Sequence, residues 1–140
     1  MPASQHDDLE AIKQLKAKYF RFLDTKQWDS FAQVFAEEAV SCSSPDPADW
    51  KHGRQAIVEH VRSVVRDAVT VHYGHMPEIE LTGSTTAKGV WSMFDFVDYG
   101  THGWRGYGHY EEEYVKENGE WKIQSFRLTR LRKDEFKKGR

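Results

Sequence analysis

Tyr19, Asp24 and His72 are the residues whose types best suit proton transfer at carbon. A carboxylate that accepts from one ring nitrogen of a histidine fixes its tautomer and leaves the other nitrogen as a base near neutral pH. Such a base contributes about 10²- to 10⁴-fold to a proton transfer. A tyrosine hydroxyl supplies a hydrogen bond to a carbonyl or leaving oxygen. Asp24 stands in an awkward place. It follows Tyr19 by five residues, so an ideal helix turns it about 140° away, and it meets the negative end of the helix dipole. It is therefore either solvated or turned inward by an unwinding last turn and held by a partner. His72, in the run Val69, Thr70, Val71, His72, Tyr73, starts a strand that can meet it. A buried Asp and His that merely join helix to sheet would fit the same spacing.

Weaker candidates surround these three. Trp91, Met93 and Asp95 share one face of a strand by period two, and Asp95 is the informative member because its neighbours are apolar. Trp50, Trp91, Met93 and Phe96 are of types more often found in a core than around a ligand. In the alternation "GYGHYEEEY", either His109 or Tyr110 faces inward. His75, His102 and His109, even with Glu78 or Glu111, lack the compact spacing of a zinc or iron site, so no metal is expected. Cys42 has no charged neighbour to activate it and reads as a small core residue in a strand.

The elements that must position these groups follow from periodicity. Ser4 to Trp28 reads as a long helix, with Ser4 as N-cap, acidic residues in the first turns, and Leu9, Ile12, Leu15, Tyr19, Phe22 and Leu23 forming an apolar stripe. Asp24 marks its approximate end. Trp28 to Glu37 predicts a short second helix, Ala39 to Ser43 a brief strand, and Ser43 to Asp49 a loop without regular structure. Gly53 to Asp67 predicts a third helix. From Val69 the period becomes two, with strands to Leu81 and from Ala87 to Tyr99, then Tyr107 to Lys116 and Trp121 to Arg132. Asn118 and Gly119 between the last two are a strong hairpin signal. Helices first and long antiparallel strands afterwards make an α+β fold, a curved sheet wrapped around the long N-terminal helix.

The chain has 140 residues, which makes a single domain spanning 1–140 the default. A net charge of −2 gives no field to attract nucleic acid or a membrane surface, so neither is expected as a partner. The basic residues from Arg127 to Arg140 predict a solvated tail, disordered from about residue 132. One cysteine excludes an internal disulfide and suggests a reducing compartment. With no apolar run of membrane length and no signal-peptide pattern at its start, the chain is expected to be cytoplasmic.

The segments "IKQLKAKYFRFLD", "KQWDSFAQVF", "GRQAIVEHV", "HYGHMPEIEL", "GHYEEEYVKENGEWKI" and "RLTRLR", in this order and spacing, resemble the SnoaL-like branch of the nuclear transport factor 2-like superfamily. Within it the chain is similar to scytalone dehydratase, hexachlorocyclohexane dehydrochlorinase and bile acid 7α-dehydratase. The resemblance implies a cone-shaped α+β barrel with cystatin-like topology and a hydrophobic pocket between helix and sheet, assembled as a homodimer or homotrimer. It implies a cofactor-independent lyase or isomerase, of dehydratase or polyketide cyclase type, acting on a hydrophobic, cyclic small molecule. The catalytic residues it implies are Asp24, His72 and Tyr19. Asp95, Tyr110, Trp91 and Met93 would contact substrate, as would a basic residue near the end of the sheet. That residue is Arg127 or Arg130, with Arg130 grouped among the substrate-binding residues and the choice left open. Some dehydratases of the branch carry a second His where this chain has Asp95. The superfamily also holds noncatalytic binding and assembly modules, so fold alone does not decide function.

Overall fold

A computed structural model describes residues 4–138. Helix α1 (Gln5–Asp24) starts at a capping box, in which Ser4 Oγ accepts the Asp7 N–H and the Asp7 carboxylate accepts the Ser4 N–H, each at 3.1 Å. It stops before the Trp28 limit read from periodicity, because Lys26 enters the left-handed region at φ 60° and the chain reverses. The Lys26 N–H then bonds the Leu23 carbonyl and the Gln27 N–H bonds the Phe22 carbonyl, a Schellman ending.

Helix α2 (Trp28–Ala32) is shorter than expected. The residues from Phe35 onward form a strand, β1 (Phe35–Cys42), because they pair with the last strand of the sheet. The predicted loop contains a single 3₁₀ turn at Pro47–Asp49, capped by the Asp46 side chain on the Ala48 N–H at 2.9 Å. A two-residue strand, β2 (Lys51–His52), and helix α3 (Arg54–Val65) follow.

Four long strands complete the chain: β3 (Val69–Leu81), β4 (Thr86–Asp98), β5 (His102–Glu117) and β6 (Glu120–Lys137). They form a six-stranded sheet in the order β2-β1-β6-β5-β4-β3, with free edges at β2 and β3, so the sheet does not close. Nor is it wholly antiparallel, since β1 runs parallel to β6. The α+β architecture holds, with α1 lying across the inner face against β3 and β6. Asn118 and Gly119 form the tight β5–β6 turn, with φ values of 53° and 79°.

β5 starts five residues before the predicted Tyr107, because Gly103, Gly106 and Gly108 weaken the β signal there without preventing pairing. β6 runs past residue 132 to Lys137, which lies opposite His102, so the basic stretch expected to be a disordered tail is an exposed but paired strand up to that point. No helix among the described residues is long and apolar enough to cross a membrane.

Aromatic side chains fill the space between α1 and the sheet. The Tyr19 ring lies 5.3 to 6.1 Å from the rings of Phe20, Phe31, Phe35, Tyr110 and Phe126. Inside this apolar volume sits an ion pair, Lys16 Nζ to Glu112 Oε2 at 2.6 Å, with both side chains fully enclosed. The ammonium is 3.7 Å from the ring centroids of both Tyr19 and Tyr110. The second Glu112 oxygen accepts from the Tyr114 hydroxyl at 2.6 Å, which in turn accepts from Trp91 Nε1 at 2.9 Å. Burial pushes the Lys16 ammonium below its ordinary pKa and Glu112 partly restores it. At the other end of α1, Asp8 Oδ1 accepts from Trp121 Nε1 at 2.9 Å and from Lys116 Nζ at 3.0 Å, fastening the helix to the β5–β6 hairpin.

The Lys16 and Glu112 pair predicts a specific pattern of stability. Lys16→Met strands a buried carboxylate and should lower unfolding free energy by about 3–5 kcal/mol. Adding Glu112→Gln should recover much of that loss, since no unpaired charge remains. Urea denaturation of the two variants checks this, and a double variant no more stable than Lys16→Met would contradict it.

Candidate active site

The reversal after α1 turns Asp24 toward the start of β3. Its Oδ2 accepts the backbone N–H of His72 at 2.8 Å, and its Oδ1 accepts from the Thr70 hydroxyl at 3.0 Å and faces His72 Nδ1 at 2.7 Å. Three donors from one strand thus compensate a carboxylate that the helix dipole disfavours. An ionised Asp24 requires the proton on Nδ1, so neutral His72 presents Nε2 as a lone pair. Nε2 has no hydrogen-bond partner among the described residues, and the His72 side chain keeps 10% of its surface exposed.

Opposite His72 on β4 lies Asp95. Both of its oxygens are engaged, Oδ1 by Arg130 Nη1 and Oδ2 by Arg130 Nη2, each at 2.8 Å, with Trp104 Nε1 adding a third bond at 3.2 Å. Burial raises the Asp95 carboxyl, but the hydrogen bonds and charge of Arg130, helped by Trp104 and His72, outweigh it and hold the pKa below the usual carboxylate range. Of the two arginines, Arg130 reaches Asp95, whereas Arg127 is exposed and lies opposite Glu111 on β5.

This ion pair rests on bare backbone. A Cβ on Gly106 would come within 2.0 Å of Arg130 Nη1 and Asp95 Oδ1. Gly106 stands directly opposite Asp95 on β5 and gives the bidentate pair its room.

Tyr19 and Tyr110 meet in the interior beside Lys16, with both hydroxyls kept protonated because burial pushes their pKa values well above the ordinary one. Tyr110 faces inward and is buried, while its neighbour His109 is only half-buried. Trp91 and Met93 are buried on the same face as Asp95, and Trp91 gives its N–H to Tyr114. Cys42 is buried in β1.

Aromatic side chains fill part of the space between α1 and the sheet. Phe20 lies over Gly74, so closely that a Cβ there would be 2.7 Å from the ring, and it fills the space between β3 and Trp91. Tyr19 is only 4% exposed. A groove of about 980 Å³ runs elsewhere, past Val40, Trp50, Val90, Glu111 and Arg127, and neither Asp24 nor His72 lines it.

Periodicity alone passed over three further participants. Lys16 lies four residues after Ile12 and three before Tyr19, a charge on the apolar stripe. Glu112 falls between Tyr110 and Tyr114 on one strand face by period two. Thr70, two residues before His72, shares its face in the same way.

The match of a SnoaL-like domain model to residues 4–127 identifies the family. The chain belongs to the SnoaL-like domain family. It is 28% identical over 137 residues to a protein of Gibberella zeae named "Probable cyclase FGR4", covering 86% of this chain and 89% of that one. Its fold matches that of a provisionally assigned scytalone dehydratase of Novosphingobium aromaticivorans, with a TM-score of 0.83, 20% identity, and coverage of 94% and 89% of the two chains. It also matches hexachlorocyclohexane dehydrochlorinase LinA-type3 of Novosphingobium barchaimii, with a TM-score of 0.80, 17% identity, and coverage of 92% and 90%. At these identities the two structures speak to the fold alone.

Two measurements test the geometry of the site. ¹⁵N-resolved NMR of the imidazoles should find neutral His72 protonated at Nδ1, with Asp24→Asn relaxing that preference; an Nε2-protonated ring in the parent would contradict the arrangement. Gly106→Ala should destabilise by more than about 2 kcal/mol, since overpacking here must break a bidentate ion pair. A melting temperature unchanged by that substitution would show that the pair is placed differently.

Proposed function

We propose that this chain is a small cofactor-independent lyase or isomerase, of dehydratase or cyclase type, that uses Asp24 and His72 to remove a carbon-bound proton from a hydrophobic, cyclic molecule. The observation that carries this reading is the 2.7 Å contact between Asp24 Oδ1 and His72 Nδ1, which leaves Nε2 without a partner among the described residues. The cyclase name of the Gibberella relative supports it.

In an elimination, Nε2 takes the proton and the C–H electron pair becomes the new double bond. The leaving hydroxyl departs as water by taking that same proton back from the imidazolium, which returns His72 to its neutral form. Asp24 stabilises the imidazolium as it forms, and the Tyr19 hydroxyl donates to the substrate oxygen where negative charge develops. Asp95 is committed to Arg130 and Trp104, so its role is to hold the guanidinium at the edge of the substrate space. In an isomerisation, the imidazolium would return the proton to a different carbon. Every group required belongs to the protein.

A second reading, a noncatalytic binding or assembly module, is favoured by the filled interior and the placement of the large groove on the outer face. The two readings diverge in a direct assay. Cyclic hydroxyketones and ketones incubated with the protein in D₂O should show enzyme-dependent C–H exchange or loss of water by NMR. Once a substrate is found, His72→Ala and Asp24→Asn should each lower turnover by about 10²- to 10⁴-fold. The double variant should be little worse than the poorer single one, because the two act as a unit. Tyr19→Phe should lose about 10²- to 10³-fold. Turnover should rise with pH as the imidazole deprotonates. Near-normal turnover in His72→Ala would end the reading of His72 as the base.

The outer sheet face supports self-association, as a dimer or trimer. Tyr73, Phe94 and Tyr107 lie side by side across three strands at centroid distances of 6.2 and 5.6 Å, and Tyr73 is 54% exposed. Sedimentation at micromolar concentration should find an oligomer with Tyr107, His109, Glu111 and Glu113 near its interface. A monomer alone would exclude it.

A further inference from the structure

The residue that reverses the chain after α1 is a lysine where glycine is the usual choice. Lys26 occupies the C′ position of the Schellman ending with φ 60°, a conformation that glycine adopts freely and most side chains avoid. Strained positions of this kind persist where the surroundings fix them, and they gather at functional sites. The side chain shows what this position gains. Lys26 Nζ donates to Thr70 Oγ1 at 3.1 Å, Thr70 Oγ1 donates to Asp24 Oδ1 at 3.0 Å, and Asp24 Oδ1 faces His72 Nδ1 at 2.7 Å.

A threonine hydroxyl has one proton. With Lys26 occupying an acceptor lobe of that hydroxyl, the proton is directed to Asp24, so the carboxylate is held by a donor whose orientation is itself fixed. The ammonium also places a positive charge three hydrogen bonds from the imidazole. That charge opposes formation of the imidazolium and favours the ionised form of Asp24.

We propose that Lys26 is a positioning residue of the acid–base pair: through Thr70 it locks the Asp24 carboxylate against His72, and its ammonium disfavours a second positive charge on the imidazole. This deepens the reading of His72 as the base and rests on it. Three other charges reach the imidazole, namely Asp24 on α1, Asp95 on β4 and Arg130, from β6, which is paired to Asp95. Asp95 and Arg130 largely cancel, and none of these groups changes in the variants below. Around Lys26 itself, Asp29 and Arg62 line the same shallow cleft. Their charges also oppose, so the direction of the effect follows from the Lys26 ammonium. Burial lowers the affinity of that ammonium for its proton and Asp24 raises it.

The test reads the pKa of His72 by NMR titration, which needs no substrate, alongside the melting temperature. Lys26→Gly and Lys26→Asn both suit the left-handed backbone and delete the charge, whereas Lys26→Arg keeps the charge. The His72 pKa should rise by about half a unit or more in Lys26→Gly and Lys26→Asn. It should stay near the parent value in Lys26→Arg. The melting temperature should be unchanged or higher in Lys26→Gly, because the backbone strain is relieved. An unmoved His72 titration in both neutral variants would overturn the proposal, whether or not stability changes. A shift reproduced equally in Lys26→Arg would overturn it too, since the charge would not be its cause. If His72 is not the base, His72→Ala would keep turnover even though Lys26 still moves its titration, so the two failures are distinguishable.

Discussion

A carboxylate at the C-terminal end of a helix needs donors that its own helix cannot offer, and Asp24 finds them all on the first residues of β3. That requirement fixes how α1 meets the sheet. A backbone N–H, a hydroxyl and an imidazole converge on two oxygens, so neither the rotation of the helix nor the register of the strand can slip without losing charge-assisted hydrogen bonds. The same anchoring sets the tautomer of the imidazole. The placement of the helix and the orientation of the imidazole therefore depend on one set of contacts, and the lysine that turns the chain immediately afterwards extends that set by one more link.

The interior shows a second use of paired charge. Lys16 and Glu112 sit among tyrosines, an arrangement that desolvation would make unfavourable if either partner were absent. Together they satisfy the Tyr114 hydroxyl and bring an ammonium against two aromatic faces. Asp95 and Arg130 repeat the solution nearer the site, over the bare backbone of Gly106. The inner face of the sheet thus carries these two ion pairs beside the Asp24 and His72 contact, and each is made possible by what stands next to it: rings in one case, a missing side chain in the other.

Much of this was legible in the sequence. Ser4 announced the start of α1, the Asn118-Gly119 pair fixed the last hairpin, and the change of period at Val69 located the sheet. The awkward position of Asp24 was readable as a demand for a partner, and the family resemblance supplied His72 as a candidate. What escaped has physical reasons. Phe35 and Val34 fit a helical stripe with Trp28 and Phe31, and only the distant partner Ile123 makes Phe35 a strand residue. The glycines of β5 mute its β signal although they serve close approach to β4 and β6. Lys16 and Glu112 look like ordinary surface charges until each is placed on a buried face, and the ring of Phe20 over Gly74 fills part of the space where the family resemblance implies a pocket.

The parallel pairing of β1 with β6 has a consequence for how the chain acquires its shape. Phe35 stands beside Ile123, and Asp8 of the first helix is tied to Lys116 and Trp121. Both ends of the N-terminal third therefore wait for the last hairpin. On a ribosome, β1 has only α3 and the two residues of β2 beside it, and α1 is covered only by α2 and β3, until the last hairpin has been made. Loop-closure entropy must be met before these contacts can reward it, so assembly is expected to be late and concerted, with high contact order and slow folding for a chain of this length. In that interval the exposed stripe of α1 is the segment most in need of protection from other chains.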